Sequence, residues 1–256
     1  MPLWAVLPAV VALALLVGPV LGLLGRAEWS SFWSDITTDE SLTALRLSLV
    51  ASLAAVAVVI ALGLPLAWIL ARVDFPGRRI VRALVVLPMV MPPVVGGVAL
   101  LSALGRDSVV GGWLYDTAGI QFTFSTAGVV LAETFVAMPF FVLTVEAALR
   151  SDGRRHEELA ATLGARPLTV LWRVTLPRAR PAIAAGAVLA WARALGEFGA
   201  TITFAGNIAG RTRTLPLAVY LGLDGEAPRA VSLSIVLLVV SLLVLVGLRD
   251  RWMVRT

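Results

Sequence analysis

Six stretches of this chain stay apolar for the length of a bilayer, and that limits its fold more than any other feature. A helix needs ~20 apolar residues to cross a hydrocarbon core of ~30 Å. Runs of that length occur at about 4–24, 43–71, 83–104, 125–149, 183–205 and 230–248. Only 14% of the 256 residues are charged, too few to clothe a water-soluble domain. The expected fold class is all-α: a polytopic membrane protein with about six transmembrane helices, forming one domain over residues 1–256, with no soluble domain at either end. The first run has no basic segment before it and no small-residue cleavage site after it. It reads as a retained helix, not a signal peptide.

Arginine placement orients these spans. The loop after span 1 has Arg26 against Glu28, Asp35, Asp39 and Glu40. The loop after span 2 has Arg72, Arg78, Arg79 and Arg82 against Asp74. The loop after span 4 carries Arg150, Arg154, Arg155, Arg166, Arg173, Arg178 and Arg180, and the tail carries Arg249, Arg251 and Arg255. Basic residues gather on the cytoplasmic side of membrane proteins, so both termini and the even loops are expected there. The loop after span 5, with Arg211, Arg213 and Arg229 against Asp224 and Glu226, fits that pattern least well. The net charge of +5 is therefore a topology signal. Nucleic acid is not an expected partner, because the arginines flank spans and form no single stripe.

Two absences exclude chemistry. The chain has no cysteine, which removes disulfides, thiolate catalysis and iron–sulfur ligation. It has no lysine either, so a phosphate-binding P-loop and a Schiff base both lack their amine. If transport here is driven by ATP, the ATP and its magnesium belong to another polypeptide. No cofactor is expected on this chain. His156 is the single histidine, which rules out a multi-histidine metal site.

Polar and helix-breaking residues inside the spans mark a candidate pathway. Span 3 contains Pro88, Pro92, Pro93, Gly96 and Gly97. Broken backbone is tolerated at membrane depth where neighbouring helices or a watery cavity satisfy it, and it often marks transporter sites. A simple packing kink is the alternative. Span 4 carries Glu133 at depth and Glu146 near its cytoplasmic end, four residues before Arg150. Span 5 carries Arg193 and Glu197 one helical turn apart, where each offsets the other's burial. That pair reads either as a packing lock or as part of the path or its inner gate. Gly196, Gly199 and Ala200 allow a neighbouring helix close, and Thr201 follows them.

The loop at about 150–181 is long for a loop between spans. Its spacing predicts a helix from Arg154 to Leu163, with Asp152 as N-cap and Glu157 and Glu158 in the first turn. Gly164 can take the left-handed conformation that ends a helix, and Arg166 precedes Pro167. A second short segment, Leu168–Trp172, should lead to Leu176-Pro177. The result is a rigid cytoplasmic knob.

Glu158-Leu-Ala160, three residues, Gly164, nine residues, then Val174-x-Leu176-Pro177 resembles the coupling-loop signature of bacterial ABC importer permeases. That signature is written E-A-A-x3-G-x9-I-x-L-P; Leu159 and Val174 depart from it mildly. The resemblance implies the type I permease fold and a helix that inserts into a separate ATP-binding subunit. Glu157, Glu158, Ala160, Ala161, Gly164, Ala165, Arg166, Leu176 and Pro177 would form that coupling site. Arg193 to Ile208, Gly210 to Pro216 and the segment 87–97 are most similar to the molybdate branch of oxyanion permeases. The resemblance covers about 42–248. It implies a homodimer in the cytoplasmic membrane, two ATP-binding cassette subunits and a periplasmic or lipid-anchored oxyanion-binding protein. Asn207, Arg211 and Arg213 are the expected docking residues for that protein. Sulfate, thiosulfate and tungstate are alternative cargoes. A different class, an ion-driven carrier acting alone, would use Glu133 and Glu197 as proton sites and leave the loop at 150–181 without a purpose. A membrane-embedded enzyme has no support in these residues.

Overall fold

The computed structural model describes residues 3–252, with side chains from Trp4 to Val244. Regular structure among the described residues is all helical. The chain runs through α1 (Leu3–Gly25), α2 (Phe32–Ile36), α3 (Asp39–Arg72), α4 (Arg78–Val90), α5 (Pro93–Leu104), α6 (Val109–Ala118) and α7 (Thr126–Ser151). It continues through α8 (Arg155–Thr162), α9 (Pro167–Val170), a π-turn (Leu171–Thr175), α10 (Leu176–Leu195), α11 (Gly199–Phe204), α12 (Leu215–Gly222) and α13 (Ala227–Trp252). α1, α3, α7 and α13 are long and apolar enough to cross a membrane, and the bent pair α4–α5 makes a fifth candidate. The remaining expected span, at about 183–205, corresponds to α10 with α11. The tail arginines Arg249, Arg251 and Arg255 lie outside the described side chains.

α3 shows how the sequence sets an element. Thr38 caps it, its hydroxyl accepting from the Ser41 N–H at 3.2 Å, and Asp39 and Glu40 occupy its first turn. At 34 residues it is about 50 Å long, so one end extends past the hydrocarbon. Its inner face carries small residues that admit α7. Phe141 of α7 is fully buried between two glycines. A Cβ on Gly63 of α3 would lie 2.9 Å from one ring edge, and one on Gly186 of α10 would lie 3.1 Å from the other. Ala55, Val59, Ala67 and Leu70, with Val142, Val145, Ala190 and Ala194, complete this three-helix core. Close approach of small residues is how helices associate where lipid competes with packing.

The break expected in span 3 is a sharp turn: α4 and α5 meet at 120°. Met91 (ψ 136°) precedes Pro92, which (ψ 134°) precedes Pro93, and a residue before proline is driven out of the helical region. Span 5 starts earlier than expected and breaks before its end. From Pro167 the backbone is helical through to Leu195, with the π-turn just before Pro177. Proline has no N–H, and its ring crowds the carbonyl four residues back, here that of Arg173. The Leu176 N–H reaches instead to the Leu171 carbonyl, five residues back. At Gly196–Phe198 the helix stops because Glu197 folds over to accept the Ala200 N–H at 2.8 Å and caps α11.

Candidate functional site

The knob at 150–181 forms as its motif spacing requires. Gly164 has φ +83°, and its N–H donates to the Ala161 carbonyl at 2.9 Å. The Ala165 N–H donates to the Ala160 carbonyl at 3.0 Å. This paired closure ends α8 with a left-handed residue, so the interval from Ala160 to Gly164 is one turn plus its cap. Arg166 is extended before Pro167, as expected. Asp152 is not the N-cap of α8. It closes α7 instead, and both its oxygens accept from Arg178, at 2.8 and 2.5 Å. Those bonds hold its carboxyl below the usual aspartate range, against a smaller upward push from burial. The two glutamates divide. Glu158 is exposed, beside Leu159, Leu163 (88% exposed), Leu168 and Trp172 (67% exposed), which give the knob an apolar outer face. Glu157 turns inward to Arg72 and Thr175.

Beneath the knob, arginines close the adjoining helix ends. The last carbonyls of a helix lack partners and carry partial negative charge. Leu70 O at the end of α3 accepts from both Arg78 and Arg150, and Leu149 O of α7 accepts from Arg72 at 2.7 Å. Glu146, buried near the end of α7, pairs with Arg150 at 3.1 Å as expected, and also with Arg82 of α4. So several arginines that serve as topology signals in the sequence also cap helices.

Within the membrane layer, α5 packs on α11 and brings much of the predicted pathway together. A Cβ on Gly199 would lie 2.8 Å from Pro93 Cβ, and one on Gly97 would lie 2.7 Å from Thr203 Cβ. Gly96 sits against the Phe135 ring. Pro92 is exposed at the bend, and Pro88 lies a turn earlier in α4. Gly196 is exposed and meets no neighbouring helix, so close packing falls to Gly199 and Ala200. Arg193 lies 2.6 Å from Glu197, whose side chain is 1% exposed. Glu133 is equally buried, and one of its oxygens has no partner among the described residues; the Thr134 and Thr201 hydroxyls are likewise unpartnered. These groups make a polar seam between α7 and α11, where Ala132 and Val136 meet Ala200 and Phe204.

On the opposite end, Arg213 donates to Asn207 at 2.9 Å and pairs with Glu40, which also binds Arg229 at 3.1 Å. Asn207 and Arg213 are thus partly committed to holding α12 and α13 on α3. Arg211 is exposed, with its carbonyl fixed by Thr126 at 2.9 Å. Thr175, Arg72 and Arg82 are the residues that sequence reasoning missed as site members. Their partners lie 18, 85 and 64 positions away, beyond any local spacing rule.

Comparison with known proteins agrees with this geometry. Residues 63–255 match the family model of binding-protein-dependent transport system inner membrane components. The molybdenum transport system permease protein ModB of Mycobacterium tuberculosis is 49% identical over 98% of this chain and 95% of its own. The Escherichia coli protein of the same name is 42% identical over 86% of this chain and 96% of its own. The Escherichia coli sulfate transport system permease protein CysT is 37% identical over 87% and 80%. A bacterial ABC transporter involved in alginate import has a chain that superposes with TM-score 0.80 at 21% identity, covering 99% of this chain and 96% of its own, which establishes the fold. This multi-pass membrane chain therefore belongs to the family of binding-protein-dependent transport system inner membrane components, the permeases of ABC importers.

Proposed function

We propose that the chain is the membrane-spanning subunit of an ATP-driven importer that carries molybdate into the cell. The observation that carries this reading is the 49% identity, over nearly the whole chain, to a protein named as a molybdenum permease. The knob supports it: α8 and the segment that follows it together offer an exposed acid and four large apolar side chains around a capped, rigid turn. Two such permeases would pair around a watery path, each with one ATP-binding subunit on its knob. A dianion cannot enter hydrocarbon unaided, so the path must be lined by protein. The α4–α5 bend and the seam of Arg193, Glu197, Glu133 and Thr201 would line or gate it. ATP and magnesium reside on the partner, and both termini face the cytoplasm with it. The external binding protein would dock near Asn207–Arg213, with Arg211 as its exposed cation.

The test is uptake into proteoliposomes holding this chain, its ATPase subunit and its binding protein. ATP-dependent molybdate uptake that persists in excess sulfate is expected. Uptake abolished by sulfate would move the cargo to the sulfate branch, a reading favoured by the 37% identity to a sulfate permease. Uptake indifferent to ATP would restore the solitary ion-driven carrier.

A further inference from the structure

The knob has to do more than dock. Whatever displaces α8 must also move the helices that hold the pathway. Glu157 is the only α8 side chain with a hydrogen bond outside the helix among the described residues. One of its oxygens accepts from Arg72 Nε at 3.1 Å, from Arg72 Nη2 at 3.0 Å and from the Thr175 hydroxyl at 2.9 Å. Arg72 is the last residue of α3 and is 9% exposed. Its remaining donors go to the other long core helix: Nη1 to Leu149 O at 2.7 Å and Nη2 to Gly153 O at 2.8 Å, just past the end of α7. Thr175 is buried at the end of the π-turn, where α10 begins. Four segments therefore meet at one guanidinium and one carboxylate: the knob, α3, α7 and the root of α10.

We propose that Arg72 is the transmission residue of this permease, passing displacement of the coupling helix through Glu157 into α3 and α7. The inference rests on the permease reading above and goes beyond it, because the docking motif leaves the path of force into the membrane unassigned. The chemistry requires arginine. A planar guanidinium offers donors in several fixed directions at once, whereas an ammonium is a compact charge on a flexible stem. Lysine at 72 keeps the charge and the topology signal but cannot hold Glu157, Leu149 O and Gly153 O together. The π-turn suits the role, since single π-turns within helices are frequent at functional sites. It lets the root of α10 follow the knob through Thr175. Glu158 and Glu157 then have separate tasks, one facing the ATPase and one facing the clasp.

The test uses the assembled complex in proteoliposomes and compares Arg72→Lys, Thr175→Val and Glu158→Arg. Two quantities are read: retention of the ATPase subunit through affinity purification, and molybdate taken up per ATP hydrolysed. Arg72→Lys should retain the subunit while uptake per ATP falls about twofold to thirtyfold, the range over which residues along a coupling network act. Thr175→Val should move the same ratio less, again with the subunit retained. Glu158→Arg should lose the subunit. Unchanged coupling in Arg72→Lys, or loss of the subunit alongside Glu158→Arg, would overturn the proposal. Should Arg72→Lys fail to fold, Thr175→Val decides by the same two readouts. A wild-type complex with no ATP-dependent uptake would instead refute the permease reading itself.

Discussion

Single residues in this protein carry charge where charge is expensive, and Glu197 and Asp152 are each matched to a specific arginine. Glu197 is sealed from solvent, with Arg193 on one oxygen and the Ala200 N–H on the other. Removing the arginine leaves a buried carboxylate uncompensated, a change worth about 3–5 kcal/mol where both partners are buried. Arg193 keeps 27% exposure, so Arg193→Ala should cost about 2–3 kcal/mol, seen as a lowered thermal midpoint in detergent. Adding Glu197→Gln should recover most of that loss, since the amide oxygen still caps Ala200 and no charge is stranded. Equal loss in the single and double variants would mean that the pair does not balance itself. The Asp152–Arg178 pair behaves differently because water reaches it. The folded-state pKa of Asp152 is depressed, so its contribution is present above the unfolded aspartate value and fades as pH falls through the folded one. Asp152→Asn should therefore be slightly less stable than wild type at neutral pH and indistinguishable from it in strong acid. Thermal melts across pH check this, and a gap that widens on acidification would contradict it.

Elements here are joined by glycines of two kinds, and the difference is testable. Gly97 sits where α5 touches α11, and an added Cβ would lie 2.9 Å from the Ala200 carbonyl, which is backbone and cannot swing aside. Gly97→Ala should cost about 1–3 kcal/mol by overpacking and should impair transport, because α5 and α11 bear the predicted pathway. Gly164 has open space around it but φ +83°, so Gly164→Ala should cost about 1–2 kcal/mol through backbone strain alone. A milder melt shift for Gly97→Ala than for an uncrowded control such as Gly18→Ala, where an added Cβ meets nothing within 4 Å, would refute the close-contact reading. This scale also shows what the sequence reveals. The α8 helix, its cap at Gly164 and the Arg193–Glu197 pair were legible because each rests on local spacing. The break in span 3 was legible as a break, from Pro92 and Pro93, but its 120° turn was not, because propensity forbids a helix there without aiming the next one. The Asp152 assignment failed for a related reason. An aspartate before a helix is equally an aspartate after one, and Arg178, 26 residues on, decided between them. Arg72 carried no local signal beyond its charge.

At the scale of the whole molecule, polarity is divided between two ends of an apolar body. One end holds the knob and the arginines that cap α3 and α7; the other holds Glu40, Arg213 and Arg229 between α3, α12 and α13. The ends differ in kind. Arg213 and Arg229 at the second end pair with Glu40 and Glu226, while the knob end exposes Arg155, Arg166 and Arg173 with no partner among the described side chains. The rule that arginine-rich loops stay on the cytoplasmic side would place the knob end there. That orientation is directly measurable because the protein has no cysteine, so any introduced thiol is unique. Leu163→Cys, at the tip of the knob, should react with a membrane-impermeant maleimide in inside-out vesicles and not in intact cells. Arg211→Cys should show the opposite pattern. Saturating ATPase subunit should then protect Leu163→Cys, because its 88% exposed side chain lies on the proposed docking face, and leave Arg211→Cys unchanged. Labelling of Leu163→Cys in intact cells would invert the topology and remove the knob from the side where ATP is found; labelling that the ATPase subunit does not slow would leave the topology standing and separate the knob from docking.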